Sequence, residues 1–336
     1  MKIQLTHTFE EIISLENLLA AWEEFVHGKR ERQDVQVFGR YLMDNIIALH
    51  NDLSKKRYQH GGYYSFRISD PKPRHIHKAS VRDRLLHHAI YRILYPFFDR
   101  TFLPDSFSCR LNKGTYKALD RFRTIASTVS QNHTKTCWVL KCDIRKFFAH
   151  IDHAVLLRIM QEYIPNHDIC WILEQVVKSF FSMGAPRVGL PLGNLTSQLF
   201  ANVYMNQFDQ WVKHVLHAQG YVRYADDFVI FSYDRQTLLD AIPKITTFLE
   251  EPLHLSLHPK KVSIQTAASG IDFLGWVHFP DHRTLRTTTR RRMFRRIQEH
   301  PTYETLQSYR GLLQHGNAQK SAVTVRETGW LFCDLI

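Results

Sequence analysis

Tyr224-Ala225-Asp226-Asp227 lies between two largely apolar runs, Tyr221-Val222-Arg223 and Phe228-Val229-Ile230-Phe231. Two adjacent carboxylates repel each other, so one of them tends to stay protonated unless a cation compensates its charge. A hard divalent ion such as Mg²⁺ binds carboxylate oxygens and keeps positions open for phosphate. The same four residues are equally typical of a polar turn between two strands, because Asp favours turns. A third carboxylate and a phosphate-binding segment elsewhere in the chain would favour the metal site.

The elements predicted around this stretch have an informative order. Trp138–Cys142 predicts a short buried strand that ends at Asp143. Downstream, the periodicity predicts two helices, two strands around the Asp-Asp turn, a further helix and a further strand, at 153–163, 167–181, 221–224, 227–232, 235–250 and from 262. This is the order of a split βαβ, ferredoxin-like unit, which places the end of its first strand beside the hairpin of the next two.

Asp143 would then supply the third carboxylate. Carboxylates from two strands can hold two divalent ions about 3.5–4 Å apart, the arrangement used for in-line displacement at phosphorus. One ion would activate an attacking hydroxyl, and the other would stabilise a pyrophosphate leaving group. The alternatives are an N-cap role for Asp143 and core packing for Phe147 and Phe148.

The remaining elements are mainly helical. The periodicity predicts two helices over 9–50, a strand at Tyr63–Ile68, a turn at 70–73 and a helix at 81–98. A glycine-containing segment, Gly189 to Gln198, precedes an apolar helix and would let the backbone approach another chain closely. Phe273 to Trp276 predicts one more strand with a close-approach glycine.

Composition limits the class of protein. The chain has 336 residues, 44% of them hydrophobic, and no run of eighteen apolar residues, so we expect a folded cytoplasmic protein that does not enter a membrane. The five cysteines lack Cys-x-x-Cys spacing, which argues against a disulfide framework or a zinc ribbon.

The net charge of +12 is concentrated in two segments. Residues 53–88 carry nine Lys or Arg against two Asp, and residues 285–336 carry nine against four acids. Two basic segments around a neutral middle favour binding of a polyanion, although most basic runs are simply solvated surface. Tyr63, Tyr64 and Phe66 in the first segment favour nucleic acid, because bases stack on aromatic rings.

These segments, in this order, resemble reverse transcriptases from about residue 58 to 280. Seven blocks carry the resemblance: 70–84, 106–114, Leu140 to Phe148, Gly189 to Gln198, Tyr224 to Asp227, Lys260-Lys261 and Phe273 to Trp276. The resemblance implies an α+β, right-hand polymerase with a ferredoxin-like palm. It implies four parts: an N-terminal helical segment at 1–52, fingers at 53–137, a catalytic palm at 138–284 and a short basic helical thumb at 285–336.

The resemblance also implies a role for each site residue. Asp143, Asp226 and Asp227 would bind two Mg²⁺ ions, with Mn²⁺ as a substitute, and would be catalytic together with Lys260 or Lys261 as proton donor. The nucleotide-binding residues would be Lys72 and Arg74 at the incoming triphosphate, Arg110 at template or nucleotide, Phe148 as the gate against a 2′-hydroxyl, Gly193 in the glycine segment and Tyr224 near the primer end.

The glycine segment further suggests a branch of the family. Many relatives have Pro-Gln-Gly and then Ser-Pro, whereas this chain has Pro191-Leu192-Gly193 and Ser197-Gln198. This form resembles enzymes of bacterial diversity-generating retroelements and the neighbouring unknown-group and anti-phage defence enzymes. The implied partners are an RNA template, a DNA product, deoxynucleoside triphosphates, a structured non-coding RNA and an accessory protein.

Two other functions fit the same sequence. A non-catalytic scaffold could hold a structured RNA through the two basic segments, and retention of all three aspartates argues against it. An RNA-templated RNA polymerase is disfavoured by the aromatic residue at 148.

Overall fold

A computed structural model describes residues 3–69, 73–182 and 184–325 of the chain. The chain divides into two compact units. The first contains residues 1–104, 144–215 and 245–258, and the second contains residues 105–143, 216–244 and 259–336.

Four helices, rather than the two predicted over 9–50, begin the first unit: α1 Phe9–Ile13, α2 Leu15–Val26, α3 Gln33–Arg40 and α4 Leu42–Ser54. The prediction was wrong because local caps interrupt the apolar periodicity. Ser14 ends α1 and caps α2 by accepting a hydrogen bond from the Asn17 amide. Tyr41, with φ −120° and ψ +42°, separates α3 from α4, whereas the break after α2 at Gly28, φ +65°, lies between the two helices as predicted.

A hairpin follows, made of β1 Tyr63–Ile68 and β2 Arg74–Ala79 in antiparallel register. The predicted β1 is present, but a second strand stands where we expected a loop that leads directly into a helix. Part of the predicted turn, Asp70 to Lys72, lies outside the described residues. Ser80 then caps α5, Val81–Asp99, whose apolar face carries fully buried leucines as predicted.

The rest of the first unit is helical: α7 Phe147–His150, α8 His153–Gln161, α9 His167–Lys178 and α10 Leu195–His214. These elements follow α6 Thr115–Val129 and β3 Trp138–Asp143 of the second unit along the chain. The predicted apolar helix is α10, in which Phe200, Tyr204 and Phe208 are buried. The Tyr204 hydroxyl donates to the Leu253 carbonyl at 2.6 Å, which ties α10 to the 245–258 segment.

A four-stranded antiparallel sheet forms the centre of the second unit. It consists of β3, β4 Gly220–Tyr224, β5 Asp227–Ser232 and β6 Ser263–Thr266, in the spatial order β4-β5-β3-β6. This is the strand order predicted for a split βαβ unit. Helix α11 Arg235–Glu250 lies between β5 and β6 in sequence, as predicted.

Helix α6 has no counterpart among the predicted elements. Its buried residues pack with Val139, Val222 and Val229 of the sheet to form the core of this unit. The helix starts after Gly114, which has φ +101°. Its apolar residues follow helical spacing, but polar and charged residues between them weaken the pattern in the sequence.

A second small sheet contains β7 Ile271–Phe273, β8 Trp276–His278 and β9 Arg283–Leu285. The strand predicted at 273–276 is wrong, because Leu274 and Gly275 form a two-residue turn with φ +50° and +86°. Helices α12 Thr287–Glu299 and α13 Tyr303–Leu313 follow. The basic run Arg290 to Arg296 lies in α12. Helices α12 and α13 share a small hydrophobic cluster that includes the buried residues Met293, Ile297 and Leu313.

Among the described residues, none of the helices combines the length and the apolar character needed to span a bilayer.

Candidate active site

Strand register brings carboxylates together at one end of the four-stranded sheet. Asp143 is the last residue of β3 and is paired directly opposite Asp227, the first residue of β5. Asp227 is also paired with Tyr224, so Ala225 and Asp226 form the two-residue turn between β4 and β5. Ala225 has φ +56°, a left-handed conformation that is costly for a residue with a side chain. The turn at Ala225 and Asp226 therefore has a defined left-handed conformation, and it lies next to the Asp143–Asp227 pair.

The environment of Asp227 disfavours the charged form of its carboxyl group. Burial raises the pKa of Asp227 from 3.8 to about 6, Lys141 opposes this shift, and the neighbouring carboxylates of Asp143, Asp226 and Asp272 add to it. Its Oδ1 atom is buried without a hydrogen-bond partner in the described part of the chain. A buried anion without a partner is unfavourable, so this position favours a cation.

Lysine side chains supply part of the missing positive charge. Lys261 Nζ donates to both carboxylate oxygens of Asp143, at 3.0 Å and 2.9 Å. Lys141, in the middle of β3, donates to the Asp272 backbone carbonyl, and Arg286 pairs with the Asp272 carboxylate. Of the two candidate lysines, Lys261 therefore lies in direct contact with the Asp143 carboxylate.

The fit of this site to a divalent metal depends on the donor atoms. Within residues 3–69, 73–182 and 184–325, no three His, Cys, Asp or Glu side chains are close enough to form a complete metal-ligand cluster. Asp143 and Asp227 nevertheless lie directly opposite each other on adjacent strands, and Asp227 Oδ1 has no hydrogen-bond partner in the described part of the chain. Oxygen donors of this kind suit Mg²⁺. The residues fit a divalent cation, provided that the Lys261 ammonium leaves Asp143.

Arg223 is a residue of this region that the sequence reasoning missed. Its side chain is fully buried, and it donates from Nη1 to the Ala225 carbonyl at 3.0 Å and from Nη2 to Ser106 Oγ at 2.9 Å. The backbone of Arg223 also pairs with the segment around Ser106 and Phe107. The signal in the sequence was a cation inside an otherwise apolar strand next to the Asp-Asp turn.

Two further predicted residues lie in the same unit. Arg110 Nη1 donates to the Ser106 carbonyl at 2.9 Å, so Arg110 and Arg223 both bind Ser106. Tyr224 Oη accepts a hydrogen bond from Thr115 Oγ1 at 3.2 Å, which connects the last residue of β4 to the start of α6.

The other predicted nucleotide-binding residues lie in the first unit, except Lys72, which is outside the described residues. Arg74 is exposed at the start of β2. Gly193 has φ +110°, and a Cβ atom there would come within 2.8 Å of Ile76 Cγ2 on β2. Phe148 is half-buried, and its carbonyl accepts from the Leu190 amide at 2.7 Å.

An antiparallel sheet of this order, with acidic residues at the end of β3 and in the turn between β4 and β5, is an arrangement suited to a nucleic-acid polymerase. The family model described as reverse transcriptase (RNA-dependent DNA polymerase) matches residues 68–278. Because this match covers more than half of the chain, the protein belongs to the reverse transcriptase family, as the resemblance in the sequence predicted.

Relatives in two bacteria are distant in sequence. Protein YkfC of Escherichia coli (strain K12) is 24% identical over 260 residues, which cover 66% of each chain. The group II intron-encoded protein LtrA of Lactococcus lactis subsp. cremoris is 22% identical over 153 residues, which cover 44% of this chain and 24% of LtrA. The chain thus spans just under two thirds of YkfC and about a quarter of LtrA.

A solved structure of similar fold is the apo telomerase from Candida tropicalis truncated from its C-terminal domain. The TM-score is 0.50 at 11% sequence identity, over 73% of this chain and 60% of the telomerase chain. At this identity the likeness concerns the fold alone, and it agrees with a polymerase fold of mixed helices and sheets.

Proposed function

We propose that this protein is an RNA-directed DNA polymerase that adds deoxynucleotides to a 3′-hydroxyl by in-line attack. One observation carries the proposal. In a chain of the reverse transcriptase family, Asp143 and Asp227 lie directly opposite each other on the adjacent strands β3 and β5, and the buried Oδ1 atom of Asp227 has no hydrogen-bond partner among the described residues. Such a carboxylate pair is suited to cation-assisted phosphoryl transfer.

Asp143, Asp226 and Asp227 would hold two Mg²⁺ ions, or Mn²⁺ in their place. When bound, the ions would favour ionisation of the attacking hydroxyl and neutralise charge on the leaving pyrophosphate. Lys72 and Arg74 would bind the triphosphate, Arg110 would support the template or the nucleotide, and Tyr224 would lie near the primer end. Gly193 would let the backbone approach the nucleotide, and the absence of a side chain also avoids a clash with Ile76 on β2.

Lys261 and Lys260 are the two candidates for the proton donor, and the Lys261 ammonium lies at Asp143. Replacing Lys261 with Gln should lower nucleotide incorporation on the order of 10²-fold, a typical contribution of a general acid. The same change should tighten Mn²⁺ binding, since it removes a cation that competes at Asp143. Single-turnover incorporation and electron paramagnetic resonance of bound Mn²⁺ measure the two effects.

The matched comparison is Lys260→Gln, which removes the same charge one residue away. A larger loss of incorporation in Lys260→Gln than in Lys261→Gln would transfer the role to Lys260. Unchanged Mn²⁺ affinity in Lys261→Gln would remove Lys261 from competition with the metal.

Phe148 would exclude the 2′-hydroxyl of a ribonucleotide. Phe148→Ala should therefore raise incorporation of ribonucleoside triphosphates relative to deoxynucleoside triphosphates by about tenfold or more, the discrimination that a steric pocket contact provides. The ratio of kcat/KM for the two substrates measures this effect. Phe147→Ala is the comparison, because Phe147 is buried in the core. Equal discrimination in wild type and Phe148→Ala would exclude the gate role.

Primer extension on an RNA template, run beside an RNA filter-binding assay, tests the proposed function itself. Extension with deoxynucleotides and Mg²⁺ or Mn²⁺ is expected. Tight RNA binding without extension on several templates and with both metals would instead favour a structured-RNA scaffold.

The biological role that we propose is a bacterial retroelement of the diversity-generating type or an anti-phage defence system. Leu192 and Gln198 in the glycine segment support this branch. The polymerase would then work with a structured non-coding RNA and an accessory protein, and we propose the division into fingers, palm and short thumb at residues 53, 138 and 285. Sequencing of the RNA that copurifies with the protein, and of the DNA that it makes in cells, distinguishes the two roles.

A further inference from the structure

The glycine segment, Gly189 to Gln198, is held at two places within the first unit. Near its start, the Leu190 amide donates to the Phe148 carbonyl at 2.7 Å. His153 Nε2 donates to the Gly189 carbonyl, also at 2.7 Å. These contacts fix the first half of the segment to the chain around the proposed gate residue.

The second half of the segment pairs with strand β2. The His77 amide donates to the Leu192 carbonyl at 2.9 Å, and the His77 carbonyl accepts from Asn194 Nδ2 at 3.0 Å. Between these two bonds, a Cβ atom on Gly193 would come within 2.8 Å of a β2 side chain. The segment therefore lies against the edge of β2, the strand that begins with Arg74.

Asn194 stands at the N-cap position of α10 but does not cap this helix. Its backbone is extended, as at other caps, yet its side chain accepts no hydrogen bond from the first turn. The residue is 2% exposed, and its Oδ1 atom has no hydrogen-bond partner among the described residues. Only the nitrogen of the amide can face the His77 carbonyl, because a carbonyl accepts and never donates. The amide is thus oriented for its bond to β2 rather than for the start of α10.

Asn166, in the same unit, shows the ordinary arrangement. It precedes α9, and its Oδ1 atom accepts from the Asp168 and Ile169 amides at 2.9 Å and 3.1 Å. Asn166 therefore stabilises the first turn of a helix. Asn194 lacks that role and instead joins two segments that are far apart in sequence.

We propose that Asn194 is a positioning residue for nucleotide addition, which ties β2 to the glycine segment. This role rests on the proposed polymerase function and deepens it. Arg74 on β2 is the proposed triphosphate contact and Phe148 is the proposed gate, so the glycine segment connects the two. Without the Asn194–His77 bond, β2 should separate more easily from the segment. Nucleotide binding then weakens, while the carboxylates that serve the chemical step are unchanged.

Two variants separate this role from helix capping. Asn194→Ser can cap α10, but its side chain is too short to reach the His77 carbonyl, and Asn194→Ala can do neither. We expect both to raise KM for the deoxynucleoside triphosphate about three- to tenfold, the effect of one lost hydrogen bond, with kcat changed by less than about twofold. Asn194→Ser should nevertheless have the higher Tm of the two. Steady-state primer extension and thermal unfolding measure these effects.

Asn166→Ala is the matched control, because it removes an asparagine that does cap a helix. It should lower the Tm by about 1–3 °C and leave KM at the wild-type value. A rise in KM equal to that of Asn194→Ala would show that KM follows stability, and it would overturn the proposal. A wild-type KM in Asn194→Ser would overturn it as well, because a helix cap would then be sufficient.

Amide hydrogen exchange of β2 tests the Asn194–His77 bond without any need for catalysis. Residues 74–79 should exchange about three- to tenfold faster in Asn194→Ser and Asn194→Ala, and at the wild-type rate in Asn166→Ala. Wild-type exchange in the Asn194 variants overturns the proposal; should Asn194→Ala fail to fold, Asn194→Ser decides. If the wild-type protein extends no primer, the proposed function fails by itself, and the exchange rates still decide whether Asn194 holds β2.

Discussion

Incorporation of nucleotides is expected to fall on the order of 10³-fold or more when Asp226 and Asp227 are both replaced by Asn, because two of the three charges that would hold the metal ions are removed. The asparagines keep the size of the side chains, so the antiparallel pairing of β4 with β5 should persist. Single-turnover primer extension on an RNA template measures the loss. Residual incorporation near the wild-type rate would refute the proposed metal site.

The same double variant should be more stable than wild type in metal-free buffer. The folded-state pKa of Asp227 is raised to about 6, so the carboxyl stabilises the fold while it is protonated below about pH 4, and this stability is lost as the pH rises through 6. At pH 7 the charged form costs at most about 3 kcal/mol, which an amide avoids. Thermal unfolding in EDTA at pH 5 and pH 7 should show a larger gain at pH 7.

A matched control is the pair Asp44→Asn with Asp240→Asn. Asp44 is exposed in α4 and Asp240 is exposed in α11, so the change in net charge is the same. This control should retain incorporation and should not gain stability between pH 5 and pH 7. Loss of stability in the double variant at the candidate site would mean that the carboxylates hold the turn together rather than strain it.

Arg223→Ala should lower the free energy of unfolding by about 3 kcal/mol or more, because it opens a cavity in the core and removes hydrogen bonds from a charged donor. The guanidinium is fully buried and bridges the Ala225 carbonyl and the Ser106 hydroxyl. Urea unfolding of the variant and of Arg290→Ala, an exposed arginine on α12, measures the difference. A loss below about 1 kcal/mol would show that the buried guanidinium contributes little net stability.

Arg223→Met separates stability from positioning. Methionine fills much of the same volume, so the fold should lose less free energy than in Arg223→Ala. It cannot donate to the Ala225 carbonyl, which leaves the left-handed turn before Asp226 without that restraint. We expect kcat for nucleotide incorporation to fall while KM for the nucleotide changes little. A wild-type kcat in Arg223→Met would exclude a positioning role for this arginine.

The parts of the fold that the sequence predicted well have strong local signals. The strands around the Asp-Asp turn and β3 are short apolar runs, and their order with the helices specified the strand order β4-β5-β3-β6. The wrong predictions lie where caps or turns override periodicity. Ser14 and Tyr41 divide the two predicted N-terminal helices into four, and Leu274 with Gly275 turns a predicted strand into a hairpin.

The sequence by itself determined the family, because the spacing of the carboxylates, the glycine segment and the lysine pair are properties of the chain alone. The tertiary structure placed the Lys261 ammonium at Asp143 and assigned a buried, bridging position to Arg223. It also left the Asp227 Oδ1 atom buried without a hydrogen-bond partner among the described residues. These features depend on burial and on contacts between residues far apart in sequence. A local sequence pattern encodes neither the burial of a side chain nor its long-range contacts.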